Sequence, residues 1–193
     1  MRMLYAAVLI AAFLSGCAST GDWSSDTPTK VNPKSSKATR VNLKNQSVSK
    51  IYAPSDNLWI RIRDGFQMEP MNTPLEIEQV RWLAARPDYV NRSMTRSSRY
   101  LFYIVQEVNA RNMPTEIALL PFVESAFVTH AKSSAKAVGL WQFMPATGKD
   151  FRLTQNVFRD ERRDVVQSTD AALDYLQRLN NQFGSWELAL AAY

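Results

Sequence analysis

The sequence predicts an all-α domain over residues 57–193, preceded by a leader and a linker of different composition. Three observations support this prediction. Four of the five tryptophans lie beyond residue 56. Apolar residues in this region recur at helical spacing, and helix-capping residues precede several of the apolar runs. We find no period-two strand pattern and no internal repeat in the sequence, so helices are expected to form the core.

Two helices are predicted in the first half of this domain. The first covers 75–86 and follows Thr73 and Pro74, because threonine caps helix starts and proline fits a first turn. The second covers 93–112, where four apolar residues share one helix face: Leu101, Ile104, Val105 and Val108. Such a face is the part of a helix that packs against a core.

A long helix is predicted over 165–183. Its apolar side recurs at alternating steps of four and three residues: Val165, Thr169, Ala172, Leu176, Leu179 and Phe183. Gly184 then fits the left-handed position that ends many helices. The charge cluster at 160–164 is predicted to be structural, supplying ion pairs and, through its last aspartate, the helix cap. Loops are expected around 128–140 and 152–163.

The composition argues against several classes of function. The chain is 46% hydrophobic and 21% charged, as in an ordinary folded protein. Lys and Arg exceed Asp and Glu by 23 to 18, a surplus that favours an anionic surface such as a membrane or cell-wall polymer. Nucleic-acid binding is a weak alternative, since no zinc-finger or RNA-binding signature occurs. With one cysteine and one histidine, His130, no metal site, cofactor or intrachain disulfide is predicted.

The first residues have the pattern of a secretory signal peptide. A short basic start is followed by the apolar run 6–14, which is too short to span a bilayer permanently. The sequence Leu-Ser-Gly-Cys at 14–17 resembles the lipobox of bacterial lipoproteins. This resemblance implies that residues 1–16 are removed and that Cys17 carries a lipid anchor in the membrane. Alanine at residue 18 implies the periplasmic face of the outer membrane. The alternative is a plain signal peptide that happens to contain a cysteine.

The segment 17–56 is predicted to be a flexible tether. From residue 18 to 50, 21 of 33 residues are Ser, Thr, Asn, Pro or Lys, and Trp23 is the only aromatic residue. Such a composition buries too little apolar surface to offset the conformational entropy of folding. A tether of this kind lets an anchored domain reach a nearby polymer, although a spacer without a selected length is an equal alternative.

One carboxylate stands out within the apolar run ALLPFVESAF at 118–127. It is Glu124, and it lies on a helix that is expected to begin near Pro114 and to kink at Pro121. On helical spacing it shares a face with Leu120 and Phe127. Apolar surroundings raise the pKa of a carboxyl group, as a general acid near neutral pH requires. The alternative is a surface glutamate whose stem covers the core.

A second motif follows fifteen residues later. In Gly139-Leu140-Trp141-Gln142, the glycine indicates a turn that approaches a ligand closely, and the tryptophan and glutamine suit a sugar. An aromatic face contacts sugar C–H groups, and an amide bonds hydroxyl or acetamido groups. The alternative for Trp141 is a place in the core.

Three motifs in succession resemble those of the soluble-lytic-transglycosylase family: Glu124-Ser125, Gly139-Leu140-Trp141-Gln142 and Ala191-Ala192-Tyr193. The segments MPTEIALLPFVESAF, AVGLWQFMPATGKDF and RRDVVQSTDAALDYLQRLN are similar to the membrane-bound D-type branch of that family. The similarity covers about 57–193. It implies a lysozyme-like all-α fold and a catalytic domain that cleaves the glycan strands of peptidoglycan.

The resemblance also implies residue roles. Glu124 would protonate the glycosidic oxygen between N-acetylmuramic acid and N-acetylglucosamine. It would then take the proton of the muramoyl C6 hydroxyl, which closes a 1,6-anhydro ring without water. The implied substrate-binding residues are Ser125, Gly139, Trp141, Gln142 and Tyr193, and Tyr193 would also orient Glu124 by a hydrogen bond. The commoner family motif has methionine at the position of Trp141.

The sequence leaves three other functions open. A second catalytic carboxylate among Asp150, Asp160 and Asp164 would make the protein a lysozyme-type hydrolase. A non-catalytic lipoprotein that binds peptidoglycan is another possibility, and an anchored scaffold for other wall enzymes is a third. The helix that begins at Ser185 stops at Tyr193 without a C-cap, so we expect an N-terminal fragment. The family continues with asparagine and, in the D type, with LysM modules.

Overall fold

The computed structural model describes residues 57–70 and 73–193, so the predicted signal peptide, tether and lipidated Cys17 lie outside the described residues. The described part contains these α-helices: α1 Leu58–Asp64, α2 Pro74–Ala84, α3 Pro87–Ser97, α4 Leu101–Ala110, α5 Leu120–Ser125, α6 Pro145–Asp150, α7 Val165–Phe183 and α8 Trp186–Ala192. Two 3-10 helices, Thr115–Leu119 and Glu161–Arg163, complete it. No strand occurs among these residues, and the predicted all-α class is confirmed.

The helix caps predicted at Thr73, Asp164 and Gly184 agree with the structure. The Thr73 hydroxyl accepts a hydrogen bond from the Glu76 amide and caps α2. One carboxylate oxygen of Asp164 accepts from the amides of Val166 and Gln167 at the start of α7. Gly184 ends that helix at φ 70°. Each cap satisfies backbone groups that a helix end otherwise leaves without a partner.

The helix predicted over 93–112 is wrong as one element. It is divided between α3 and α4, and the chain turns at 98–100. Near this break the hydroxyls of Ser97 and Ser98 donate to the carbonyl oxygens of Met94 and Thr95, at 2.9 and 2.8 Å. Serine side chains that bond nearby backbone in this way compete with helix continuation.

The core forms where α4, the first 3-10 helix and α7 meet, and α8 packs along α7. The apolar face predicted for α4 is buried, and so is most of the face predicted for α7. Phe183, the last member of that face, is 42% exposed because it lies in the final turn, beyond the core. No helix in the part of the chain that the structure describes combines the length and apolar character that crossing a membrane requires.

The predicted loops lie between the shorter elements. No helix lies between the end of α5 and the start of α6, so the loop at 128–140 is confirmed. The predicted loop at 152–163 instead ends in the second 3-10 helix. Isolated bridges hold these segments, among them Val138 to Phe143 and Gln155 to Asp160. Both loops therefore have fixed backbone pairings beside the core.

Candidate active site

Glu124 lies near the C-terminal end of α5 and is half-buried. The helix expected from Pro114 is replaced by a 3-10 helix followed by α5, and the change occurs beside Pro121. Pro121 therefore falls in the first turn of a new helix, where its missing N–H leaves no bond unmade. The short α5 carries Glu124 outward from the core while its first turn is buried.

The backbone reverses immediately after Glu124 and Ser125. Ala126 has φ 49° and Phe127 has φ 59°, so two consecutive non-glycine residues are left-handed. The amide of Ala126 donates to the carbonyl oxygen of Phe122 at 3.2 Å, and that of Phe127 donates to Pro121 at 3.1 Å. A left-handed alanine or phenylalanine costs roughly 1–2 kcal/mol, and such strain is concentrated at functional sites.

The residues of the second motif form the tip of a tight hairpin. Val138 and Phe143 exchange backbone hydrogen bonds of 3.0 and 3.1 Å, and 139–142 close the turn between them. Gly139 and Gln142 have φ values of 87° and 51°. Glycine adopts such a φ at no steric cost, whereas Gln142 is strained.

Three successive carbonyl groups of this tip accept hydrogen bonds from three side chains. The Gln142 amide donates to Gly139 at 2.8 Å, and the Ser125 hydroxyl donates to Leu140 at 2.9 Å. The Tyr193 hydroxyl donates to Trp141, also at 2.9 Å. Residues from all three sequence motifs are therefore joined through one turn of backbone.

Gly139 lies against the backbone of Arg162. A Cβ atom at position 139 would stand 1.8 Å from the Arg162 carbonyl oxygen, far inside ordinary contact. Its φ of 87° would also strain any residue that carries a side chain at this position. The predicted close approach of this glycine is to the protein's own backbone. This contact fixes the height of the tip above the second 3-10 helix.

Trp141 is placed differently from the sugar-stacking role expected of its ring. The residue is fully buried, and its indole N–H donates to the Thr169 hydroxyl on α7 at 2.9 Å. A ring without exposed surface has no face to offer a ligand. The Trp141 side chain therefore belongs to the core, as the alternative interpretation of the sequence stated. Its carbonyl group belongs to the hairpin tip.

Tyr193 packs beneath the tip. Its ring centroid lies 5.3 Å from that of Tyr175 and 6.3 Å from that of Phe143. Burial raises the pKa of the Tyr193 hydroxyl well above its usual range, and the nearby negative charge of Glu124 raises it further. Tyr193 therefore remains a hydrogen-bond donor at any physiological pH, and it lies within electrostatic reach of Glu124.

Arg162 is a positioning residue that sequence reasoning did not single out. Its guanidinium is buried, forms a bidentate pair with Asp160 at 2.9 and 2.8 Å, and donates to the carbonyl oxygens of Lys136 and Phe143, both at 3.2 Å. Arg162 thereby ties the hairpin to the second 3-10 helix. An arginine inside a charge cluster looks like a surface residue in sequence, and only the fold reveals its burial.

Glu116 is a buried carboxylate of a different kind. It is 4% exposed, and one of its oxygens accepts from the amides of Gln67 and Met68, both at 2.9 Å. The other oxygen has no hydrogen-bond partner among the described residues. Burial raises the pKa of Glu116 above its ordinary value. Its enclosure separates it from any substrate, so its visible role is to anchor the segment after α1.

The three aspartates considered as a second catalytic acid, Asp150, Asp160 and Asp164, are engaged elsewhere or exposed. Asp160 pairs with Arg162, whose hydrogen bonds lower the pKa of Asp160. Asp164 caps α7, and Asp150 is exposed at the end of α6. His130 is exposed in its loop. No group of three potential metal ligands occurs in the described ranges.

The fold and the joined motifs define a class. Residues 102–193 match the family model described as Transglycosylase SLT domain, a range that includes Glu124, the hairpin tip and Tyr193. Over these residues the chain matches the SLT domain, so the resemblance found in the sequence is confirmed, and the all-α structure is consistent with the lysozyme-like fold that it implies.

Particular relatives agree with this class. The chain is 44% identical over 143 residues to membrane-bound lytic murein transglycosylase D of Escherichia coli K12, a match that covers 73% of this chain and 31% of the relative. The protein of the same name from strain CFT073 gives the same values. A protein of Alteromonas sp. M-1 named for tributyltin chloride resistance is 46% identical over 98 residues, covering 50% of this chain and 47% of that protein. The chain thus spans 31% of the length of the transglycosylases that it matches.

Proposed function

We propose that this protein is a peptidoglycan lytic transglycosylase with Glu124 as its single general acid/base. It cleaves the β-1,4 bond between N-acetylmuramic acid and N-acetylglucosamine and leaves 1,6-anhydromuramoyl ends. The observation that carries the proposal is the hairpin tip, whose carbonyl groups hold Ser125 and Tyr193 beside Glu124. The SLT match and the name of the Escherichia coli relatives support the same reaction.

The reaction needs one group that gives and then accepts a proton. Protonated Glu124 donates to the glycosidic oxygen as the C1–O bond of the muramoyl sugar breaks. The resulting carboxylate takes the proton of the C6 hydroxyl as that oxygen bonds C1. Glu124 ends in its starting state and no water is consumed, so one carboxyl group suffices.

The surrounding residues have supporting roles in this proposal. Ser125 fixes the end of α5 against the tip, and Tyr193 supports the tip from below through its bond to the Trp141 carbonyl oxygen and stays neutral within electrostatic reach of Glu124. Gly139 and Gln142 shape the backbone that the glycan meets. Trp141 contributes through its buried ring and its carbonyl group.

The engaged carboxylates argue against a second catalytic acid. Asp160 is held by a buried arginine, and Asp164 is held by the first amides of α7. Removing either from its partner would leave a buried charge or a helix start without its bond. A single-carboxylate transglycosylase therefore fits the structure better than a two-carboxylate hydrolase.

The proposal includes an arrangement in the cell envelope. Residues 1–16 are a lipoprotein signal peptide, 17–56 a tether lipidated at Cys17, and 57–193 the catalytic domain. An anchor on the periplasmic face of the outer membrane would hold the domain within reach of the wall, and the relatives are named membrane-bound. A Cys17→Ser variant should leave the membrane fraction and lose incorporation of labelled palmitate. Equal retention of the wild type and the Cys17→Ser variant in the membrane fraction would contradict a lipid anchor on Cys17.

The reaction is tested with intact sacculi and the full chain. Mass spectrometry of the soluble products should find 1,6-anhydro ends, which are lighter than hydrolysed ends by one water. Glu124→Gln should abolish release, since an amide cannot deliver the proton, with an expected loss of at least about a hundredfold. Glu78→Gln makes the same change at an exposed position of α2 and serves as the matched control. Reducing ends in place of anhydro ends, or an active Glu124→Gln, would overturn the proposal.

A further inference from the structure

A groove with a basic lining begins beside the residues that follow Glu124. It has a volume of about 340 Å³ and is bounded on one side by the end of α3 and the turn after it, and on the other by 127–130. Arg96 and Arg99 line it together with His130, and no acidic residue is among the described residues that line it.

The two arginines are not neutralised within the described part of the chain. Neither forms an ion pair with a carboxylate there. The Arg96 guanidinium makes one long hydrogen bond of 3.4 Å, to the Ala126 carbonyl oxygen, and the side chain remains exposed. Arg99 is also exposed. Guanidinium groups in this state have donors available for a planar anion, and they bind carboxylates bidentately.

The contact of Arg96 with Ala126 places the groove close to the proposed acid. Ala126 is two residues from Glu124, so their Cα atoms are separated by at most about 7.6 Å. The two left-handed residues turn the chain at this point, which sends Val128 and Thr129 along the groove wall. The groove is thus continuous with the α5 end and does not overlap the hairpin tip.

We propose that this groove binds the carboxylate groups of the peptide that peptidoglycan carries on its muramoyl sugar. The inference rests on the proposed function for its class of substrate. The peptide leaves the lactyl group of the sugar whose bond is cut. An extended chain advances about 3.3–3.6 Å per residue, so a few residues of peptide are enough to reach a groove that begins beside Ala126, two residues from Glu124. The neutral sugars of the strand have no anion to satisfy two arginines.

The binding test is independent of cleavage. Amide signals of the full chain are followed by NMR during titration with a disaccharide peptide, the same disaccharide without peptide, and the peptide-bearing probe with amidated carboxyl groups. The acidic probe should shift the signals of 95–100 and 127–130. The double variant Arg96→Gln/Arg99→Gln should bind it at least about tenfold more weakly, equal to about 1.4 kcal/mol. Raised salt should weaken wild-type binding, because the groove is open to solvent.

Arg92→Gln supplies the matched control, since Arg92 is an exposed arginine of the same helix that does not line the groove. The proposal is overturned if the acidic and amidated probes bind equally, if the double variant binds as the wild type does, or if no signal along the groove shifts at millimolar probe. A wild type that binds the peptide but releases nothing from sacculi would refute the transglycosylase and leave this site standing. Release of anhydro products without any binding in the groove would refute this site and leave the transglycosylase standing.

Discussion

Replacing Gly139 by alanine measures how rigidly the hairpin tip is held. The added methyl carbon would begin 1.8 Å from the Arg162 carbonyl oxygen, whereas ordinary contact needs about 3.5 Å. One of the two backbones must therefore move by more than about 1 Å. Movement of Arg162 would disturb its bonds to Lys136 and Phe143, and movement of the tip would disturb those of Leu140 and Trp141.

Two costs add in this variant. Overpacking of a fixed site costs typically about 1–3 kcal/mol, and a left-handed alanine costs about 1–2 kcal/mol. The free energy of unfolding should therefore fall by about 2–5 kcal/mol. Gly184→Ala isolates the second cost, that of the left-handed backbone, because Gly184 has φ 70° and a Cβ there would meet nothing within 4 Å. Its loss should be only about 1–2 kcal/mol.

Urea unfolding followed by circular dichroism compares the two variants. The reduced entropy of the unfolded chain is common to both and cancels in the difference. Gly139→Ala should be the less stable by about 1–3 kcal/mol, with a melting temperature lower by about 2–4 °C for each kcal/mol. It should also lose activity on sacculi, whereas Gly184→Ala should retain it. Equal losses of stability would refute the claim that Arg162 fixes the tip.

Three further predictions concern buried polar groups. Tyr193→Phe should destabilise the protein by about 1 kcal/mol, since the Trp141 carbonyl loses its donor. Because the pKa of Tyr193 is raised in the folded state, wild-type stability should fall as pH rises above 10, the unfolded protein ionising first. This fall in stability should be smaller in Tyr193→Phe. An identical dependence of stability on pH in the two proteins would contradict the raised pKa of Tyr193. Arg162→Lys should cost about 2–4 kcal/mol in urea unfolding, because lysine cannot reproduce the bidentate bond to Asp160 and both carbonyl contacts; an unchanged midpoint would show that these bonds contribute little. Glu116 has a raised folded-state pKa, so the folded state holds its proton more tightly, and its contribution to stability should decrease as pH rises above 4.5. Subtracting the Glu116→Gln stability curve from that of the wild type between pH 4.5 and 8 should reveal this decrease, and a flat difference would refute it.

The parts predicted best are those determined by local sequence. The cap at Thr73, the face of α7 and the left-handed Gly184 each depend on residues a few positions apart, and all three are present. The break between α3 and α4 was missed because the four apolar residues that predicted the helix all lie in α4, and serine hydroxyls compete for the backbone at the break.

The candidate site also divides into features that local sequence predicts and features that depend on tertiary contacts. The motif residues could be chosen in advance, and the structure joins them through the hairpin tip. The burial of Trp141 and Arg162 could not be decided from the sequence, because it depends on partners 19 to 28 positions away. These partners are Thr169 on α7 for Trp141, and the carbonyl groups of Lys136 and Phe143 for Arg162. Pattern identifies which residues matter, and tertiary contacts decide which atom of each is used.

The hairpin tip also sets an order of assembly. The bond from Ser125 to Leu140 joins residues 15 apart, whereas that from Tyr193 to Trp141 joins residues 52 apart. A ribosome that adds about 5–20 residues per second needs roughly 3–10 s to extend the chain from residue 140 to residue 193. During that interval Glu124 and the tip exist without the tyrosine beneath them. A nascent chain of this protein is therefore expected to lack the complete candidate site until its last described helix has been made.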